Sequence, residues 1–301
     1  MYKIYLISMN FLYVTDLHGI QWKYDRILEV AKSLKVKAVI NGGDMLPMVN
    51  FMKQDKFILA FLDNYFSKFD SEGIYYVCML GNDDLRIFDN LFQKICDKYP
   101  YIINSAQKKC EIEKYEYIGM NWVVDFPFAL KDRARKDTKD FIFPKQFGTP
   151  LLSTTSGWKE LKDWFLYADS LPTIEEELNR LIKPKNIDNA IYIIHTPPSN
   201  LGLDLCYDGQ KVGSNAVYRF IEKNQPLLSL HGHIHESPDI SGNWYSKLGR
   251  TICIQPGQGH QYQDHLICVF IDLPKMKIER YYAFRYDRTL VEKDQFNHSV
   301  I

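Results

Sequence analysis

Short apolar, β-branched runs recur along the chain at 11–14, 38–40, 75–80, 115–120, 190–194, 227–230, 251–254 and 266–271. Most stop abruptly at Gly, Asp, Asn, His or Pro, the pattern of buried strands ended by sharp turns. Between them, Trp22, Ile27, Val30, Ala31 and Leu34 fall mostly at three- and four-residue spacings, as do the apolar residues of 85–95 and 216–221, which predicts helices. Strands alternating with helices in the first half imply a parallel or mixed sheet covered by helices. The second half is richer in consecutive strands, so a second sheet packed on the first is expected.

The stretch 123–185 breaks this rhythm. It holds a charged run at 131–140, then loops rich in Gly, Thr, Ser and Pro, then a helical pattern near 158–171 or 174–182. The whole chain, 1–301, reads as one domain carrying this insertion. The insertion is either a solvated excursion or a cap facing the substrate. Charge runs ordinarily mark a solvated face, which is the expectation for Arg133 and Arg135, with phosphate contact as the alternative.

Composition narrows the classes. Lys plus Arg is 37 and Asp plus Glu is 37, a formal net charge of zero. That balance argues against nucleic acid or an anionic membrane as partner, since both call for a basic excess. No run of about 18 apolar residues occurs, so no membrane span is expected. The 6 cysteines include no CxxC pair and no cluster, which reads as cytoplasmic. The N-terminus lacks a small-residue cleavage site, and either Met1 or Met9 serves as a start. The 20 Tyr and 18 Phe read as core and edge packing rather than base-stacking platforms.

The informative feature is where the polar residues fall. Run 11–14 leads into Asp16-Leu17-His18-Gly19, and run 38–40 into Asn41-Gly42-Gly43-Asp44. Run 75–80 leads into Gly81-Asn82-Asp83-Asp84, run 190–194 into His195, and run 227–230 into His231-Gly232-His233-Ile234-His235. All would emerge at strand carboxyl ends, the edge where open α/β sheets place their ligand sites. On extended backbone, residues two apart share a side, so Asp16 with His18 and His233 with His235 each grip one region. The set Asp16, His18, Asp44, Asn82, His195, His233 and His235 is too large for one tetrahedral zinc and too oxygen-rich for a structural site. It suits two ions sharing a carboxylate, with imidazole plus carboxylate favouring Mn, Fe, Co or Zn over Mg or Ca.

The motifs Asp16-x-His18, Gly43-Asp44, Gly81-Asn82, His195 and Gly232-His233-x-His235 resemble, in order, those of the calcineurin-like metallophosphoesterase superfamily. The likeness runs from about residue 11 to about 270, and the stretch from His195-Thr-Pro-Pro to Pro256-Gly257 is similar to a group of poorly characterised prokaryotic members. The resemblance implies a four-layer α-β-β-α sandwich: an α/β fold of two packed mixed sheets flanked by helices. It also implies that Asp16, His18 and His235 hold one metal, that Asn82, His195 and His233 hold the other, and that Asp44 bridges them. The cofactors would be two divalent or mixed-valence ions, and the substrate a small-molecule phosphoester.

One position departs from the family pattern. The residue after the Asn ligand, often His, is Asp83 here, and an ordinary carboxylate is a poor acid that repels phosphate. Three readings follow: Asp83 has a raised pKa through burial and Asp84; His18, His231 or His260 supplies the proton; or the chain favours good leaving groups. Asp83, Asp84 and His231 are thus the catalytic candidates, with Asp84 also a partner for a His ligand and His231 also a simple strand cap. His260 and His265 lie in a Gly- and Gln-rich loop read as a surface turn, and His298 lies in the tail. The leading expectation is hydrolysis of phosphodiesters or nucleotides rather than phosphoproteins. The alternative is a metal-binding scaffold with little catalysis that serves protein interaction, and a nuclease would need a basic groove.

Overall fold

The computed structural model describes residues 9–259 and 263–296; His260, His298 and the Met1 start lie outside them. Among the described residues, one sheet has the order Leu290–Gln295, Lys277–Phe284, His265–Asp272, Asn10–Val14, Ala38–Asn41, Tyr75–Cys78, Ile102–Asn104. Its last four strands are parallel, and His265–Asp272 joins Asn10–Val14 antiparallel. The second sheet has the order Tyr245–Leu248, Thr251–Ile254, Leu228–Leu230, Ala190–Ile194, Tyr115–Met120, Lys109–Ile112, with its four inner strands parallel. Both sheets are mixed, as expected.

Strand alternation builds the layers. Phe11 and Tyr13 point between the sheets, where they meet Ile40, Val77, Tyr117, Ile193 and Ile254. Leu12 and Val14 point outward to the helices Gln21–Ser33 and Asp63–Ser71. In the second sheet, Ile191 and Ile193 face inward, while Ala190, Tyr192 and Ile194 meet the helices Ile174–Arg180 and Asn215–Asn224. Burial on both faces of these strands explains why the runs read as continuously apolar.

The 123–185 segment carries helices in both of the expected ranges, Trp164–Asp169 and Ile174–Arg180, and the loops before them contain a hairpin, Leu151–Thr154 with Gly157–Glu160. A capping box between Thr173 and Glu176 opens the second helix. The charged run is not a solvated face, because Lys131, Asp132, Arg133, Arg135 and Asp137 are all buried. Each has found a partner that makes burial tolerable. Lys131 Nζ donates to Asp125 Oδ1 at 2.7 Å, and Asp132 accepts from the Arg86 and Ser153 N–H groups. Asp137 accepts from Ser214 Oγ and the Asn215 N–H at the start of Asn215–Asn224, and the Arg135 guanidinium lies 3.9 Å over the Trp122 ring. A small apolar cluster of Ala134, Leu161, Trp164 and Ala168 gives the segment its own core.

Candidate metal centre

Five turns at strand carboxyl ends meet at one edge of the two sheets. The first two are laced by backbone bonds: the Asp16, His18 and Gly19 N–H groups donate to the carbonyls of Gly43, Asp44 and Met45 at 2.9–3.0 Å. The third is drawn in by side chains. The Asp83 N–H donates to Asp44 Oδ1 at 2.8 Å, while buried Asp84 accepts from the N–H groups of Gly81, Met45 and Leu46. From the second sheet, the Gly232 N–H donates to the His195 carbonyl, and the His233 N–H to Asp16 Oδ1 at 3.0 Å.

The reason given for the paired spacing needs correction. Asp16, His18 and His233 are not extended; their φ angles are 55°, 45° and 69°. Left-handed backbone is costly outside glycine and concentrates at functional sites. Here the turning chain, not the strand pleat, aims these side chains inward. Close approach also limits the neighbours. A Cβ on Gly81 would collide with Asp44 Oδ1, and one on Gly232 would fall 2.7 Å from Asp16 Oδ2.

The side chains converge on Asp44. Ligand atoms of Asp44, His195 and His233 lie within 4.8 Å of one another, and so do those of Asp16, His18 and Asp44. His195 Nδ1 faces the Gly42 carbonyl at 2.9 Å, which turns Nε2 toward Asn82 Oδ1 at 3.0 Å and Asp44 Oδ2 at 3.3 Å. A carbonyl on one ring nitrogen is the usual device for presenting the other to a metal. The His235 ring packs edge-on to His18, 5.8 Å between centroids, with Glu236 3.6 Å from its Nδ1. Asp16 Oδ2 and both ring nitrogens of His18 are buried without a hydrogen-bond partner. Buried donors and acceptors are rarely left so, and these atoms fit two ions of the kind that bind imidazole and carboxylate.

Electrostatics agree with that fit at His18 and His233. Burial, followed by the neighbouring His195, pushes the His233 pKa down to about 3, and burial also lowers that of His18. Both imidazoles are therefore neutral, the form that ligates metal. Burial would lower His195 too, but the Asp44 carboxylate outweighs it and raises the ring to about 9. Asp83 is pushed well above the usual carboxylate range by burial, then by Asp44 and Asp84. Its side chain is 28% exposed, with Oδ2 3.9 Å from His18 Nδ1.

Other candidates lie elsewhere. His231 is fully buried, with Nδ1 on the Ile194 and Thr196 carbonyls. Arg133 donates from Nε to the Gly81 carbonyl and pairs with Asp89, so it grips the Asn82 turn from behind. His265 opens a strand, its ring stacked on Tyr282 at 4.6 Å, instead of sitting in a surface turn. Two neighbours of the centre gave no sequence signal. Lys23, buried on the helix after His18, donates to Gln258 and the Gly259 carbonyl, and Gln258 reaches the Thr15 carbonyl. Phe126, from the 123–185 segment, sets its ring 5.8 Å from that of His233.

The family model described as calcineurin-like phosphoesterase matches residues 9–237, the span that supplies all five turns. This chain belongs to the calcineurin-like phosphoesterase family. It is accordingly a metal-dependent phosphoester hydrolase, and the family implies a dinuclear divalent metal site. Among solved structures, TT1561 of Thermus thermophilus is 15% identical with a TM-score of 0.57, covering 91% of this chain and 98% of that one. GAP50, the anchor in the inner membrane complex of Plasmodium, is 11% identical with a TM-score of 0.50, covering 97% and 90%. At such identity both speak for the fold alone. No curated protein matches the sequence. Among the described residues, no helix is long and apolar enough to cross a membrane.

Proposed function

We propose that this phosphoesterase hydrolyses phosphodiesters or nucleotides in preference to phosphoproteins, at a centre in which Asp44 is shared between two metal ions. Asp16, His18 and His235 would complete one coordination group, and Asn82, His195 and His233 the other, with Mn, Fe, Zn or Co as the ions. The observation that carries this reading is that Asp44 belongs to both clusters of converging ligand atoms. When bound, two such ions neutralise phosphate oxygens and activate water for in-line attack.

The chain's own residues do the rest. Asp84 and His231 act as positioning residues: Asp84 gathers three backbone N–H groups around the Asp44 and Asn82 turns, and His231 fixes the strand end that leads to His233. Asp83 is the acid we assign to the leaving oxygen, because its carboxyl group is partly exposed beside His18 while its own N–H is anchored on Asp44. The 123–185 segment flanks the centre as a substrate-facing wall through Phe126. The balanced charge supports a small substrate over a polyanion. Six unpaired cysteines support a reducing compartment such as the cytoplasm.

The test is hydrolysis of bis(p-nitrophenyl) phosphate and p-nitrophenyl phosphate by metal-stripped protein, with and without manganese, beside Asp44→Asn. Turnover that needs the metal, favours the diester and is lost in the variant is expected. A folded, metal-replete protein that turns over neither compound would sink this reading in favour of a scaffold.

A further inference from the structure

Three aromatic rings lead outward from His233 to the surface. Phe126 lies 5.8 Å from the His233 ring, Phe128 6.2 Å from Phe126, and Phe147 6.4 Å from Phe128. Phe128 is 64% exposed and Phe147 58%. Rings of this size ordinarily bury, and an exposed apolar patch beside a polar cleft marks a binding surface.

The rings are braced. Buried Lys131 donates to the Phe126 carbonyl and to Asp125, and its ammonium lies 4.8 Å over the Phe126 ring. Phe126 also packs against the Ala134, Leu161 and Trp164 cluster. The Phe147 N–H donates to the Pro127 carbonyl at 2.7 Å, which clips the two outer rings together. Fixing the rings in this way removes the ordering cost that a ligand would otherwise meet on binding.

We propose that Phe128 and Phe147 form a shelf for the nucleobase of a nucleotide-type phosphoester whose phosphate lies at the Asp44 centre. The inference rests on the phosphoesterase reading of that centre. Because the aromatic path starts at a residue of the centre, its occupant is part of the same molecule as the phosphate and not a separate partner. Bases have flat π faces and gain by stacking on aromatic rings whatever their identity. On this proposal Phe128 and Phe147 are the exception to the expectation that the aromatics serve packing.

The test is calorimetric titration of the manganese-loaded protein with AMP, ribose 5-phosphate and octyl phosphate. The same preparation is assayed separately on bis(p-nitrophenyl) phosphate. AMP is expected to bind at least about 10-fold more tightly than ribose 5-phosphate, the size of one base–aromatic contact. The double variant Phe128→Leu, Phe147→Leu, which keeps apolar area without rings, should bring that ratio close to one. Three results would overturn the shelf: equal binding of AMP and ribose 5-phosphate, or of neither; a ratio that survives in the double variant; or octyl phosphate binding as well as AMP. A preserved AMP preference without diester turnover would keep the shelf and reject the catalytic reading. Diester turnover without the preference would do the reverse.

Discussion

The Nε–H of Arg133 donates to the Gly81 carbonyl at 2.8 Å, joining the 123–185 segment to the turn that presents Asn82. The same guanidinium pairs with Asp89, and its side chain is only 1% exposed. A planar fork presents its donors to the two partners in fixed directions, which an ammonium does not.

Arg133→Met should therefore weaken the enzyme without touching a ligand. The variant leaves the Gly81 carbonyl with only the Asp84 N–H, at 3.3 Å, and the Asn82 turn freer to shift. The expected outcome is a loss of about 2 kcal/mol in stability and a fall in kcat/KM of about 10-fold or more, since small misplacements are costly in catalysis. Arg133→Lys should restore little of either. Chemical denaturation and steady-state kinetics check this, and normal kcat/KM in both variants would remove Arg133 as a positioning residue.

Asp83→Asn should separate substrates by leaving group. If this carboxyl group protonates the departing oxygen, its loss matters most when that oxygen is a basic alkoxide. The expected outcome is a drop of about 10²-fold on an alkyl phosphodiester and a much smaller one on bis(p-nitrophenyl) phosphate. Equal losses on both would assign the Asp83 carboxyl group to structure, through the bond it accepts from Asn82 Nδ2 at 3.0 Å.

Glu116 should make part of the stability pH-dependent. Burial alone would raise its pKa, but the N–H groups of Asn186 and Lys185 and the Lys109 ammonium outweigh it and hold it at about 2, against an ordinary value of 4.5. A carboxylate with a depressed folded-state pKa stabilises the fold fully above its unfolded value and loses that contribution as pH falls toward the folded one. Glu116→Gln should thus destabilise the protein most above pH 4.5, with the gap to wild type closing between there and pH 2. Denaturant titrations across that range read it directly, and a gap independent of pH would contradict the assignment.

The fold was legible wherever one physical pattern dominated. Strands such as Ala190–Ile194, buried on both faces, announce themselves as apolar runs, and the ligand-type residues announced themselves by ending those runs. The 123–185 segment was harder to read because burial of Lys131, Arg133 and Asp137 depends on partners elsewhere, several far along the chain, including Gly81 and Ser214. The turn geometry of Asp16 and His18 was likewise hidden. Left-handed φ at a non-glycine residue is imposed by the surrounding bonds, here to the Gly43 and Asp44 carbonyls, and not by local propensity. Phe126 carried no sequence signal, since nothing local distinguishes a phenylalanine beside a candidate ligand such as His233 from one in a core.

The most direct test of the shared Asp44 is a count. Manganese added in fractional steps to metal-stripped protein should raise diester turnover until two equivalents per chain are bound, with Asp44→Asn failing to hold the second. Turnover that saturates at one equivalent, or that proceeds without added metal in stripped protein, would contradict a two-ion centre built on Asp44.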